Sequence, residues 1–323
     1  MRLQSPPTLS LLLASASLFL TSSLLPAQPS DGVASEPTDP PSSSATAKSS
    51  ASASTTSSLN NEAAPASPSP AKLTTATQVE STLKALNGLL DQYRRTGNRQ
   101  AEAHVLGAIA SSYNALHQQQ RAVEIFQSAL GIWRELGDKE GEGTTLAHVG
   151  DVYRAWGFPD QAIRSYRDAL KTYPDTADEA EVAAILNNLG LAYFALRDKK
   201  KCVEYLDQAL ADYRARRDRQ GEALTLTNLG STYGFLMNDP HKALDYFQEA
   251  VTELELVNDR SNEADALELM GCIWLKLQKQ DMAVDSFQRA LFLYNRLGDA
   301  RGEASVRKQL KTVSEPQGSD AAH

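Results

Sequence analysis

Cys202 and Cys272 are the only cysteines in 323 residues, and no Cys-x-x-Cys pair occurs. A disulfide framework and a zinc ribbon are therefore excluded. Histidine is nearly as sparse: His104, His117, His148, His241 and His323 never fall in His-x-x-x-His or His-Glu-x-x-His spacing, so no metal site is expected. There is no glycine-rich phosphate loop and no Gly-x-Ser-x-Gly elbow. No cofactor and no catalytic residue are expected. Basic residues number 32 against 40 acidic ones, for a formal charge of −8. That sign is opposite to what a phosphate backbone attracts, so nucleic acid is not expected as a partner.

Long apolar runs are confined to the start. Met1 and Arg2 precede an apolar stretch from Leu9 to Leu25, ending at Pro26-Ala27. Residues 1–27 read as a secretory signal peptide, or as an N-terminal anchor if they are not cleaved. No cysteine near Ala27 offers a lipoprotein anchor. Residues 28–77 form a linker: within 41–60, seventeen of twenty residues are Ser, Ala, Thr or Pro. Such a composition buries too little apolar area to offset its ordering entropy, so a disordered tether is expected. Residues 311–323 form a polar tail. The leader places the protein outside the cytoplasm, in the periplasm, the envelope or the extracellular space, and membrane contact is expected only through an uncleaved N-terminus.

The remainder of the chain is repetition. Units start at Gly97, Gly137, Ala177, Arg217, Asn258 and Gly298, a step of 40 residues with one of 41, the extra residue falling near Asp239-Pro240. The units are thus 97–136, 137–176, 177–216, 217–257 and 258–297, flanked by helices over 78–96 and 298–310. Leu146, Val149 and Tyr153 recur as Leu186, Leu189 and Tyr193, as Leu226, Leu229 and Tyr233, and as Leu267, Met270 and Trp274. Spacings of three and four place each trio on the buried face of a first helix. The second helix repeats small, large, small: Ala122, Phe126, Ala129; Ala162, Tyr166, Ala169; Cys202, Leu206, Ala209; Ala243, Phe247, Ala250; Ala283, Phe287, Ala290. Such alternation lets two helices approach and interlock. Gly150, Gly190, Gly230 and Gly271 stand mid-helix at one phase, where a neighbouring helix needs room. Leu136-Gly137-Asp138 and Leu297-Gly298-Asp299 place a helix-ending glycine beside a capping aspartate, with Asp178, Asp218 and Asp259 in the equivalent places.

This pattern resembles the tetratricopeptide repeat, whose Leu, Gly, Tyr, Ala, Phe, Ala and Pro positions are met through unit two, including Pro174, with Tyr166 in place of Phe. The period is longer than the usual repeat of about 34 residues. The longer form is similar to repeats of kinesin light chains, of cell-polarity proteins of the G-protein modulator group, and of bacterial proteins that carry a CHAT protease. The resemblance implies an all-α fold, a right-handed superhelix of antiparallel helix pairs over 78–310, with first helices lining a concave groove. It also implies that the groove takes a peptide or protein segment, lined by positions two, five, six, nine, twelve and thirteen of each unit. Position six runs Ala108, His148, Asn188, Asn228 and Leu269; position five includes Asn187 and Thr227; position nine includes Asp151 and Ser231.

His148, Asp151, Asn187, Asn188, Thr227, Asn228 and Ser231 are accordingly the candidate groove residues. Side-chain amides both donate to and accept from a peptide backbone, though Asn188 and Asn228 serve equally well as bonds between neighbouring helices. No lysine stands in the fifth or ninth row, which disfavours a partner held by its C-terminal carboxylate. The expected function is a non-enzymatic interaction scaffold, an exported bacterial adaptor or assembly module. The alternative is a regulatory or sensor subunit of a separately encoded enzyme such as a CHAT-type protease.

Overall fold

The computed structural model describes residues 70–173 and 179–314, with side chains described over 78–173 and 180–314. The leader over 1–27, the linker up to residue 69, Pro174, the cap at Asp178 and the tail beyond Ser314 lie outside the described residues. The chain divides into two units, 1–81 and 82–323. Of the first, only the opening of α1 (Pro70–Thr96) is described. Residues 70–77, assigned to the linker from composition, are helical: a proline whose fixed φ suits a first helical position is followed by Ala71, Lys72 and Leu73, all good helix formers.

The second unit is all-α, antiparallel helix pairs stacked into a right-handed superhelix, with no strand among the described residues. The pairs are α2 (Arg99–Ala115) with α3 (Gln119–Leu136), α4 (Lys139–Trp156) with α5 (Pro159–Thr172), and α6 (Glu179–Ala195) with α7 (Lys199–Arg216). Then come α8 (Arg219–Ser231) with α9 (Pro240–Leu256), and α10 (Arg260–Lys276) with α11 (Gln280–Leu297), before a trailing α12 (Ala300–Ser314). No helix among the described residues is long and apolar enough to cross a membrane.

The three rows of the second helices are the spine of the core. From Ala122, Phe126 and Ala129 to Ala283, Phe287 and Ala290, every member is at most 1% exposed. In units two to five the large residue fills the space left by a mid-helix glycine of its partner, whereas Phe126 of unit one faces a helix with Ala110 in that place. A Cβ on Gly150 would lie 2.6 Å from the Tyr166 ring, and the same intrusion recurs for Gly190 on Leu206, Gly230 on Phe247 and Gly271 on Phe287. Close approach of the paired backbones therefore outweighs the roughly 1 kcal/mol that glycine costs inside a helix.

Residues 136–142 read Leu-Gly-Asp-x-x-Gly-Glu, and the junction between units explains the run. Gly137 takes a left-handed conformation (φ 68°), with its N–H on the Arg134 carbonyl and the Asp138 N–H on the Trp133 carbonyl, a Schellman closure of α3. Asp138 then caps α4 by accepting from the Gly141 N–H at 2.9 Å. Gly141 lies against the Trp133 ring, where a Cβ would come within 2.6 Å. Glu142 is buried and accepts from Arg134 at 2.7 Å and from Lys139 at 2.8 Å. Lys139 and then Arg134 outweigh burial and hold its carboxyl below the ordinary range. Glu102 with Arg94 and Arg99, Glu222 with Arg214, and Glu263 with Arg260 repeat the arrangement. Arg217 and Asn258 occupy Gly137's place, both at φ 57°.

The extra residue of unit four lies in the last turn of its first helix, a few residues before the expected Asp239-Pro240. Thr232–Met237 continues α8 as a π-helical turn, closed by the Asn238 N–H on the Tyr233 carbonyl. Lys276 of the following unit donates to the Gly234 carbonyl at 2.8 Å. Asp239 and Pro240 keep the ordinary tasks of cap and first helical residue for α9.

Candidate peptide-binding groove

The seven candidate residues stand on three successive first helices: His148 and Asp151 on α4, Asn187 and Asn188 on α6, and Thr227, Asn228 and Ser231 on α8. They fall into two bonded groups and two solitary hydroxyls. In the first group Asp151 Oδ1 accepts from the Asn188 amide at 3.0 Å and from the Tyr166 hydroxyl at 2.7 Å. His148 Nδ1 lies 3.5 Å from Asp151 Oδ2 one turn away, and its ring stacks on Phe126 at 5.9 Å between centroids. In the second group Asn187 Oδ1 accepts from the Asn228 amide at 2.9 Å and from the Thr225 hydroxyl at 3.3 Å. Thr227 and Ser231 donate to carbonyls of their own helix, at Ala223 and Thr227.

Both position-six asparagines thus reach back to the preceding first helix. Together they form a ladder of amides and carboxylate from α4 through α6 to α8. Asn188 is half-buried, whereas Asn228 is only 6% exposed. A chain lying along the row meets Asn188 more openly than Asn228.

Several polar residues of this face escaped the sequence reading. Arg154, at position twelve, lies beside Asp151 and Tyr166 with a buried Nε that has no hydrogen-bond partner among the described residues. Burial works against its charge, but Tyr166 and Asp151 outweigh it and keep the guanidinium pKa above its ordinary value. Burial first, and then the Asp151 charge, push the Tyr166 hydroxyl well above the usual phenol range, so it acts as a neutral donor. At position two, Thr144 meets the Tyr173 hydroxyl at 2.9 Å, and Tyr173 donates to Glu181 at 2.5 Å. Position two of unit five is Asp265. The Tyr294 hydroxyl lies 2.6 Å from Asp265 Oδ1 and 3.0 Å from Glu268 Oε2, and Ser305 donates to Glu268 Oε1 at 2.6 Å. The second and twelfth rows, read alongside the fifth, sixth and ninth, contain all of these groove-row residues. No group of three or more His, Cys, Asp or Glu residues suited to a metal ion occurs among the described residues.

Residues 101–175 and 181–252 match the family profile of the tetratricopeptide repeat. No curated protein matches the chain. Among solved structures, BtubC (BKLC) from P. vanneervenii is 20% identical with a TM-score of 0.55, over 76% of this chain and 96% of that one. The TPR-like repeats of a kinesin light chain from Podosopora anserina are 15% identical with a TM-score of 0.50, over 60% of this chain and 95% of that one. A Rap protein complexed with competence and sporulation factor is 13% identical with a TM-score of 0.54, over 75% and 72% of the two chains. At these identities the likeness is one of fold.

Proposed function

Since this is a tetratricopeptide-repeat protein, we propose that it works as a scaffold, with no chemistry of its own, that takes a peptide or protein segment along the row of its first helices. The observation that carries this reading is the ladder from Asp151 through Asn188 and Asn187 to Asn228. Amides held by bonds between helices are pre-oriented, so little side-chain entropy is lost when they also bond a passing backbone. The Rap protein, similar in fold, was solved with competence and sporulation factor, which supports a segment as the ligand class. The polar groups of the ladder are engaged with one another in pairs, which suits holding a ligand better than turning one over. Export to the envelope or beyond is part of the proposal and rests on the sequence of residues 1–27. A regulatory role toward a separate enzyme uses the same groove, and differs in whether the partner's activity changes on binding.

The test is capture from envelope extract on the full chain and on the Asn188→Ala, Asn228→Ala double variant, matched for helicity by circular dichroism. A retained segment should bind the double variant about 10- to 30-fold more weakly, from about 1 kcal/mol for each lost bond. Equal retention by both proteins would move the function away from this row.

A further inference from the structure

The buried carboxylates at the junctions, Glu263 of α10 among them, have basic partners; Asp265 and Glu268 further along α10 do not. Glu268 is 4% exposed and Asp265, one turn before it, is half-buried. Among the described residues, neither is bonded by an arginine or a lysine. Their partners are hydroxyls: Tyr294 from α11, within reach of both, and Ser305 from α12, on Glu268. Tyr294 also supports α12 with its ring, which lies under Gly302 where a Cβ would come within 2.5 Å. One tyrosine therefore joins α10, α11 and α12.

The count of hydrogens does not close if both carboxylates are ionised. Three contacts meet at this point, and Tyr294 and Ser305 supply two hydrogens. A proton on Asp265 completes the set: Asp265 donates to the Tyr294 oxygen, Tyr294 to Glu268 Oε2 and Ser305 to Glu268 Oε1. Without it, two negative charges face a single hydroxyl in a partly dry site. Burial raises the Asp265 carboxyl, Tyr294 lowers it, and the charges of Glu268, Asp299 and Asp259 raise it again, for a value of about 6.

The groups around it oppose ionisation or are engaged elsewhere. From α11 comes Tyr294; from α12 come Ser305 and the capping Asp299; α10 itself adds Glu268, its capping Asp259 and the adjacent Cys272. From α9 the same core receives uncharged Phe247, Val251 and Leu254, and from α8 Gln220 reaches Asp259. Lys276 is engaged with the Gly234 carbonyl and Arg307 with Glu303, while Arg301 and Lys308 are exposed.

We propose that Asp265 is protonated in the closed array and that this proton latches α12 to α10 and α11, so that the latch loosens as the pH rises from 5 to 7.5. The sign is set by linkage. An acid that binds its proton more tightly when closed than when open stabilises closure at low pH, and that stabilisation fades as the pH passes upward through the closed-state value. From a shift of 3.8 to about 6, the closed-to-open ratio of α12 falls about tenfold between pH 5 and 7.5.

Hydrogen exchange of the full chain, corrected for intrinsic rates, tests this. Protection of 300–314 should fall about tenfold between pH 5 and 7.5 relative to α2 and α3. In Asp265→Asn, whose amide supplies a hydrogen at every pH, the dependence should vanish. Equal α12 protection at both pH values in the native chain, or the same fall in Asp265→Asn, would overturn the proposal. A carbon-13 titration of the native chain decides the matter even if the variant folds poorly. A midpoint near 6 for the Asp265 carboxyl supports the latch, and one in the ordinary range near 4 overturns it.

Discussion

Glu142 and Glu268 are both buried carboxylates on first helices, and the array treats them in opposite ways. Glu142 sits at a junction, where Arg134 ends one helix and Lys139 opens the next, and both cations reach it. Glu268 sits about midway along α10 and receives only hydroxyls. Helix ends gather charge because the chain passes near solvent there, so long basic side chains can cover an acid and keep their own heads wet. Glu268, midway along α10, has no such cover. At these two places the array therefore settles charge differently, by pairing with cations at the seam and by hydroxyls on the wall.

The contrast can be broken from either side. Removing both cations in Arg134→Ala, Lys139→Ala should have the largest effect. It leaves a buried carboxylate with no partner charge and should cost about 2 kcal/mol, moderated because both cations are themselves more than half exposed. Thermal unfolding and exchange at the α3–α4 junction would read it, and an unchanged junction would show that the pairs contribute nothing. Acidification should produce a smaller effect of the same sign. The Glu142 carboxyl is depressed, so its contribution is present above its ordinary pKa and is lost as the pH falls through the depressed value. Protection of the first turn of α4 should then decline at acid pH, opposite in direction to α12. Glu268→Gln should have the smallest effect at pH 7.5. Replacing a wall carboxylate by a neutral isostere should change stability by less than about 1 kcal/mol, toward greater stability, and a loss comparable to that of the junction variant would erase the distinction.

Much of this architecture was legible because it is periodic. The second-helix rows, the mid-helix glycines and the capping aspartates are each set by local geometry repeated at 40 residues, so one unit explains the others. The position of the extra residue was not legible. Asn238-Asp239-Pro240 has the composition of a loop that tolerates insertion, whereas nothing in Thr232–Met237 marks a change of helical pitch in a sequence. The direction of the ladder was hidden for a different reason. Asn188 pairs with Asp151 across 37 residues, a contact made only when successive first helices stack. Asp265 was overlooked because an acidic residue one turn before another reads as an ordinary solvated face until Tyr294 and Ser305 are brought over it from two other helices.

The π-helical turn means that the chain keeps two counts, 41 residues in sequence and 40 in space. A residue added to an α-helix would lengthen it by about 1.5 Å and rotate every later residue by about 100°. Here that residue is taken up as girth in the π-helical turn, and Ala243, Phe247 and Ala250 stay as fully buried as the rows on either side. The widened turn frees the Gly234 carbonyl, and Lys276 meets it from the next unit. What looks like a flaw in the repeat thus serves as a keyed joint, fastening unit four to unit five.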